Sequence, residues 1–167
     1  VLLNKCLMFK MACYFIDIKG FVDNYDGIII KELCIMNVND ILHPYHFMYQ
    51  GLPEWNTLSL KCQLRNEAII TYQLQLMWGE GKDFFCHSCI SHLFDDDATF
   101  FVLDEVDGCK LNILKQHFPS WRLINYSLKP TSLHKIPQNI TCPWREHGPN
   151  CAYKHCLLGV LDYLNTE

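Results

Sequence analysis

The chain has 167 residues, of which 50% are hydrophobic and 19% are charged. This balance favours one domain with a sizeable core and excludes a disordered tail. The formal charge of −4 excludes a generally basic surface of the kind that binds duplex phosphates without sequence preference. No apolar run approaches the ~20 residues of a transmembrane helix, so we expect no membrane partner.

The first predicted elements are apolar runs of strand type. Residues 13–21 and 27–38 are predicted to pair as a hairpin, with Gly27 supplying a positive φ in the turn between them. A third strand is expected at 45–49. Residues 1–11 precede this pattern, and we interpret them as a leader or as an extension of the gene model. The domain is then a single unit over residues 12–167.

The second half of the chain alternates helices and strands. Helices are predicted at 64–76, 84–93, 107–117 and about 150–164, and strands at 99–103 and 121–125. Asp107 is the expected cap of the third helix, with Leu111 and Leu114 facing inward. A β-α-β alternation favours parallel pairing, so the predicted fold class is α/β, a mixed sheet flanked by helices.

A metal-binding motif precedes the last predicted helix. Cys142, His147 and Cys151 have the spacing of a zinc knuckle, with prolines and a glycine shaping the loop between them. Zinc takes four ligands in structural sites, so a fourth must come from elsewhere. His155, Cys156 and Glu32 are the candidates, the last because it lies inside an otherwise apolar strand. The alternative is that these are ordinary core thiols and a loop histidine.

The ten cysteines have two further implications. No signal peptide is visible, so we interpret them as free thiols and metal ligands in a reducing, intracellular compartment, cytoplasm or nucleus. Cys86 and Cys89 also have the spacing of a metal knuckle, but they lie in an amphipathic helical pattern. We therefore interpret this pair as buried core cysteines.

The sequence Cys13-Tyr-Phe-Ile-Asp17-Ile-Lys-Gly20-Phe, followed by Ile-Ile-Ile-Lys-Glu32-Leu-Cys-Ile, resembles the first hairpin of DEDD-type exonucleases. More closely, the chain resembles the Maelstrom domain, a variant of that RNase H-like fold, and looks like its short insect homologues. The resemblance covers roughly residues 12–165. It implies an RNase H-like fold with one structural zinc, held by Glu32, Cys142, His147 and Cys151.

The same resemblance implies a degenerate nuclease site. Exonucleases of this type have Asp-x-Glu on the first strand, whereas here the matching triplet is Asp17-Ile18-Lys19. Two-metal chemistry needs several carboxylates around Mg²⁺. The residual catalytic candidates are Asp17, Asp104 and Asp107. We therefore expect no active Mg²⁺-dependent exonuclease.

The function expected from this resemblance is binding of nucleic acid, with single-stranded RNA as the expected ligand. Aromatic residues beside cations could stack and clamp bases. The candidates are Trp121, Arg122, Trp144, Arg145 and Lys154, with Tyr153 beside the last. The alternatives are a zinc-stapled protein-interaction module and a residual metal-dependent nuclease.

Overall fold

Three antiparallel strands form the first part of the sheet. They are β1 (Cys13–Val22), β2 (Ile28–Asn37) and β3 (Asp40–Met48), in a computed structural model that describes residues 11–103, 108–129, 140–148 and 151–165. The two strands of the predicted hairpin are confirmed. β3 begins well before the predicted start at Tyr45, because Pro44 is tolerated on the edge strand that β3 forms.

The turn between β1 and β2 is organised by Asp23 rather than by Gly27. The Asp23 carboxylate oxygen Oδ1 accepts hydrogen bonds from the N–H groups of Tyr25 (2.8 Å) and Gly27 (2.7 Å). The positive φ belongs to Asp26, at 59°, so the role predicted for Gly27 is wrong. An aspartate that bonds to the backbone two residues later makes this turn without a left-handed glycine.

Two parallel strands complete the sheet. β4 (Thr99–Leu103) pairs with β1, and β5 (Arg122–Tyr126) pairs with β4, both in parallel. The strand order is β3-β2-β1-β4-β5. The predicted α/β class, with a five-stranded mixed sheet and a parallel β-α-β unit, is confirmed.

Four α-helices accompany the sheet in the described residues: α1 (Leu60–Ala68), α2 (His87–Ser91), α3 (Cys109–His117) and α4 (Ala152–Leu164). α1 starts earlier than predicted because the Ser59 hydroxyl caps it, accepting a hydrogen bond from the N–H of Cys62. It continues into a π-helical segment, Ile69–Leu74, where β-branched residues fit an α-helix poorly. α2 is much shorter than the helix predicted over 84–93.

Alternation along β1 and β2 separates two cores. Phe15 and Cys34 face α4 in one core, whereas Ile16 and Leu33 face the other side of the sheet, where α2 and α3 pack. Gly159 of α4 allows close packing, because a Cβ there would lie 2.4 Å from the Phe15 ring. Glu32 and Asp17 therefore lie between the sheet and α4.

Some predictions fall outside the described residues. These include the leader interpretation, apart from Met11, and the cap at Asp107. Gly108 is the residue that precedes α3 in the part of the chain that the structure describes, and Leu114 is buried as predicted. No described helix is long and apolar enough to cross a membrane.

Candidate metal centre

Four buried donors from distant parts of the chain meet beneath α4. They are Glu32 of β2, Cys142 and His147 of the preceding loop, and Cys151, the residue that precedes the first turn of α4. One ligand atom from each side chain lies within 4.8 Å of all the others. The set predicted from the sequence is brought together, and the group could hold a metal ion.

The separations between donors suit tetrahedral coordination. The Nε2 atom of His147 lies 3.4 Å from Sγ of Cys142 and 3.3 Å from Oε1 of Glu32. Zinc bonds of ~2.0–2.3 Å imply donor-to-donor distances of roughly 3.3–3.8 Å in a tetrahedron. The protein therefore holds its donors close to the separations that such an ion needs.

Hydrogen bonds from outside the cluster orient two of the donors. Nδ1 of His147 lies 3.1 Å from the carbonyl oxygen of Leu74, which directs Nε2 towards the cluster. Glu32 is held at both oxygens: Nε2 of His46 lies 2.7 Å from Oε1, and the N–H of Ala152 donates to Oε2 at 3.1 Å. His46, on β3, is a site residue that the sequence reasoning missed.

Gly148 lets the loop approach the end of the π-helical segment. Its φ is +51°, and a Cβ at this position would lie 2.1 Å from the carbonyl oxygen of Gln73. Any other residue would push the loop away from this segment. The position of His147 beside Leu74 thus depends on a neighbouring glycine.

Hydrogen bonds within the cluster shift the pKa values of its members in opposite directions. Burial raises the pKa of Glu32, but hydrogen bonds with His147 and His46 outweigh it and lower the pKa to about 2. A hydrogen bond with Cys151 is the main cause that lowers the pKa of Cys142, to about 4, and it raises the pKa of Cys151. Burial lowers the pKa of His147, but Cys142 and Glu32 raise it to about 10.

The two alternative fourth ligands lie elsewhere. Nδ1 of His155 lies 3.1 Å from Oδ2 of Asp17. The thiol of Cys156 donates to the carbonyl oxygens of Phe15 (3.6 Å) and Cys34 (3.4 Å). Glu32 is therefore the fourth donor that the geometry favours.

Asp17, the remaining catalytic candidate in the described residues, is held by cations. Nζ of Lys110 donates to Oδ1 at 2.7 Å, and Nζ of Lys19 lies 3.5 Å from Oδ2. Burial alone would raise the pKa of Asp17, but Lys110, His155 and Lys19 hold it well below its usual range. The other two candidates, Asp104 and Asp107, lie outside the described residues.

The predicted nucleic-acid contacts have different surroundings. Trp121 stacks on Phe100 and Phe118, with ring centroids 4.1 and 4.0 Å away. Arg122, at the start of β5, is exposed. Trp121 therefore packs against the core, whereas the side chain of Arg122 lies at the surface.

The other three predicted contacts lie near the metal centre and have acidic partners. Glu80 accepts hydrogen bonds from the indole N–H of Trp144 (3.1 Å) and from Nε of Arg145 (2.9 Å). Lys154 forms an ion pair with Glu146.

Cys86 and Cys89 are not core residues. Cys89 is exposed and Cys86 is partly exposed, so the interpretation of this pair as buried is wrong. The amphipathic pattern was misleading because α2 covers only His87–Ser91, and only Ile90 of that helix is buried.

Comparisons of the chain with protein-family models, with curated proteins and with solved structures found no match.

Proposed function

We propose that the chain is a non-catalytic binding domain of RNase H-like fold, related to Maelstrom domains and stapled by one structural zinc ion. The convergence of Glu32, Cys142, His147 and Cys151 carries this proposal. Two sulfur donors, one imidazole and one carboxylate suit zinc, and four protein ligands leave no open position for a catalytic water. The antiparallel meander, the β-α-β unit and the closing helix agree with the element order on which the resemblance rests.

Zinc content tests the staple directly. Native mass spectrometry of the gently purified chain should show about one zinc per molecule. The ion should be lost from Glu32→Ala and His147→Ala and kept in His155→Ala and Cys156→Ala, the matched controls from α4. Retention of zinc in Glu32→Ala would contradict the proposed ligand set.

The surroundings of Asp17 support a non-catalytic role. Lys110 and Lys19 place ammonium groups where a Mg²⁺ site needs further carboxylates, and the cations would repel the metal. A labelled single-stranded RNA incubated with the protein and Mg²⁺ should therefore stay intact. Shortening from the 3′ end that disappears in Asp17→Asn would overturn this part of the proposal.

A groove beside the metal centre supports nucleic acid as the ligand. It has a volume of about 280 Å³ and is lined by Leu42, His43, Pro44, His46, Lys82, Pro143 and Trp144. Nζ of Lys82 lies 6.0 Å from the centre of the Trp144 ring. An aromatic ring beside a cation is the arrangement that stacks a base and attracts a phosphate. We propose single-stranded RNA as the occupant.

Fluorescence anisotropy with a labelled single-stranded RNA tests this groove. Lys82→Glu should weaken binding and reduce its dependence on salt, because it removes a phosphate contact. Lys61→Glu, an exposed charge reversal on α1, is the control and should leave the affinity within about twofold. Equal weakening by both variants would show that only the overall charge matters.

Protein interaction is the second candidate function. Leu60, Leu64 and Tyr72 are exposed by 70%, 57% and 78%, and the two leucines share one face of α1 at i, i+4 spacing. Exposed apolar side chains that cluster are typical of interaction surfaces. A pull-down from nuclease-treated lysate should retain a partner that Leu64→Asp releases; a partner lost on nuclease treatment would favour RNA instead.

A further inference from the structure

Cys86 and Cys89 form a closely spaced pair of free thiols at the surface. The backbone N–H of Cys89 lies 3.4 Å from Sγ of Cys86 and donates a hydrogen bond to it. The Ser88 hydroxyl lies 3.5 Å from the same sulfur. The Sγ atom of Cys86 therefore lies against the backbone of Cys89, and the two thiols also share a hydrogen bond.

The same contacts divide the reactivity between the two thiols. Hydrogen bonds from the Cys89 thiol, the Ser88 hydroxyl and the Cys89 N–H lower the pKa of Cys86 to about 7. About half of Cys86 is then thiolate at neutral pH, the form that attacks disulfides. The pKa of Cys89 is raised, chiefly by its hydrogen bond with Cys86. Cys86 is suited to attack first and Cys89 to attack second.

We propose that Cys86 and Cys89 form a redox-active dithiol that exchanges with low-molecular-weight disulfides such as oxidised glutathione. The Cys86 thiolate attacks one sulfur of the small disulfide and releases one thiolate, leaving a mixed disulfide on Cys86. Cys89 then loses its proton to solvent and attacks Sγ of Cys86, which releases the second thiolate. Two electrons pass from the two cysteines to the small disulfide, and a Cys86–Cys89 disulfide forms.

A second metal site is the competing use of these residues. His87 and His117 lie nearby, with Nε2 of one 2.5 Å from Nδ1 of the other. Within the described ranges, however, Glu32, Cys142, His147 and Cys151 make up the one group of three or more donors close enough to share an ion. The contacts of Cys86 with Ser88 and Cys89 involve neither histidine.

The order of reactivity gives the first test, on the zinc-loaded full chain at pH 7. A substoichiometric amount of iodoacetamide should label Cys86 before Cys89, although Cys89 is the more exposed of the two. A lower pKa increases the fraction of thiolate but decreases the intrinsic nucleophilicity of that thiolate. Together these two effects should make Cys86 react with iodoacetamide about threefold faster than an ordinary exposed thiol. Peptide mass spectrometry reads the site, and earlier labelling of Cys89 would overturn the proposal.

Equilibration with reduced and oxidised glutathione gives the second test. After acid quenching, the peptide that contains both cysteines should have lost two hydrogen atoms in the parent chain and in the control Cys109→Ser. Cys89→Ser should instead accumulate glutathione on Cys86. Failure to form either product would overturn the proposal, as would a second zinc per chain that Cys86→Ser removes.

Discussion

The ammonium group of Lys110 on α3 lies 2.7 Å from a carboxylate oxygen of Asp17 on β1, and both side chains are nearly fully buried. Removing one partner of a buried ion pair costs about 3–5 kcal/mol, because the other charge stays buried without compensation. Lys19 and His155 also contact Asp17, so we expect Lys110→Met to lower the free energy of unfolding by about 3 kcal/mol, the lower end of that range.

Urea unfolding followed by circular dichroism measures this change. The matched control is Arg65→Met, which breaks an exposed ion pair with Asp26 and should cost less than about 1 kcal/mol. Equal stability of Lys110→Met and the parent would mean that the buried pair contributes nothing to the fold.

Acid should remove the stabilisation that the ionised Asp17 carboxylate gives to the folded chain. Its pKa is lower in the folded chain than the ~3.9 of an unfolded aspartate, so its ionised form favours folding above that value. The stabilisation is present at neutral pH and is lost progressively as the pH falls from about 5 towards the folded pKa. We expect the stability difference between the parent and Asp17→Asn to shrink across this range.

The measurement is a series of urea unfolding curves from pH 7 to pH 3 for both proteins. Both proteins contain the other carboxyl groups, Glu32 among them. Taking the difference between the two free energies of unfolding therefore cancels the pH-dependent contributions of those groups. A difference that is constant with pH would contradict the assigned role of the Asp17 charge.

Zinc binding should release two protons near pH 7. In the protein alone, Glu32 and Cys142 are already ionised, whereas His147 and Cys151 hold their protons. Zinc binds the thiolate and the neutral imidazole, so one proton must leave each of these two groups. The affinity should therefore rise with pH, by about 100-fold per unit near neutrality.

Titration calorimetry in buffers of different ionisation enthalpy counts the released protons. His46→Ala provides the comparison, because it leaves all four ligands and both proton-bearing groups in place and should also release two protons on binding. Release of only one proton by the parent would show that one of these two groups has already lost its proton before zinc binds.

His46 should affect zinc affinity without being a ligand. It lies 2.7 Å from Oε1 of Glu32, and loss of a partner that orients a ligand typically weakens metal binding 10–100-fold. We expect that range for His46→Ala in a competition with a zinc chelator. His43→Ala is the control, because His43 is exposed on the same strand and contacts Asp40 instead. Equal affinities of the two variants would exclude this role.

The sequence predicted the parts of the fold that depend on local apolar runs. β4 has its predicted bounds, because five buried residues in succession mark a strand covered on both faces. Glu32 could be singled out because a carboxylate within such a run needs a partner. The metal donors Cys142, His147 and Cys151 were recognisable because they lie close together in the chain.

Features that depend on distant partners were not predictable. The pairing of Asp17 with Lys110 joins residues 93 positions apart, and nothing in either local sequence marks it. His46 was missed for the same reason, since it orients Glu32 from the next strand. The length of α1 was misjudged because Leu60 is apolar but exposed, so the apolar pattern did not mark the start of the helix.

The metal centre also sets an order of events during synthesis. Glu32 and the N–H of Ala152 are 120 residues apart, yet they bond to each other. A ribosome releases the strand that carries Glu32 long before the loop and helix that carry the other ligands, so the early chain can form the hairpin but cannot assemble the four-ligand site. Under the proposed zinc site, capture of the ion would therefore wait for the last ligand, Cys151, and would come after the strand that carries Glu32 has been synthesised.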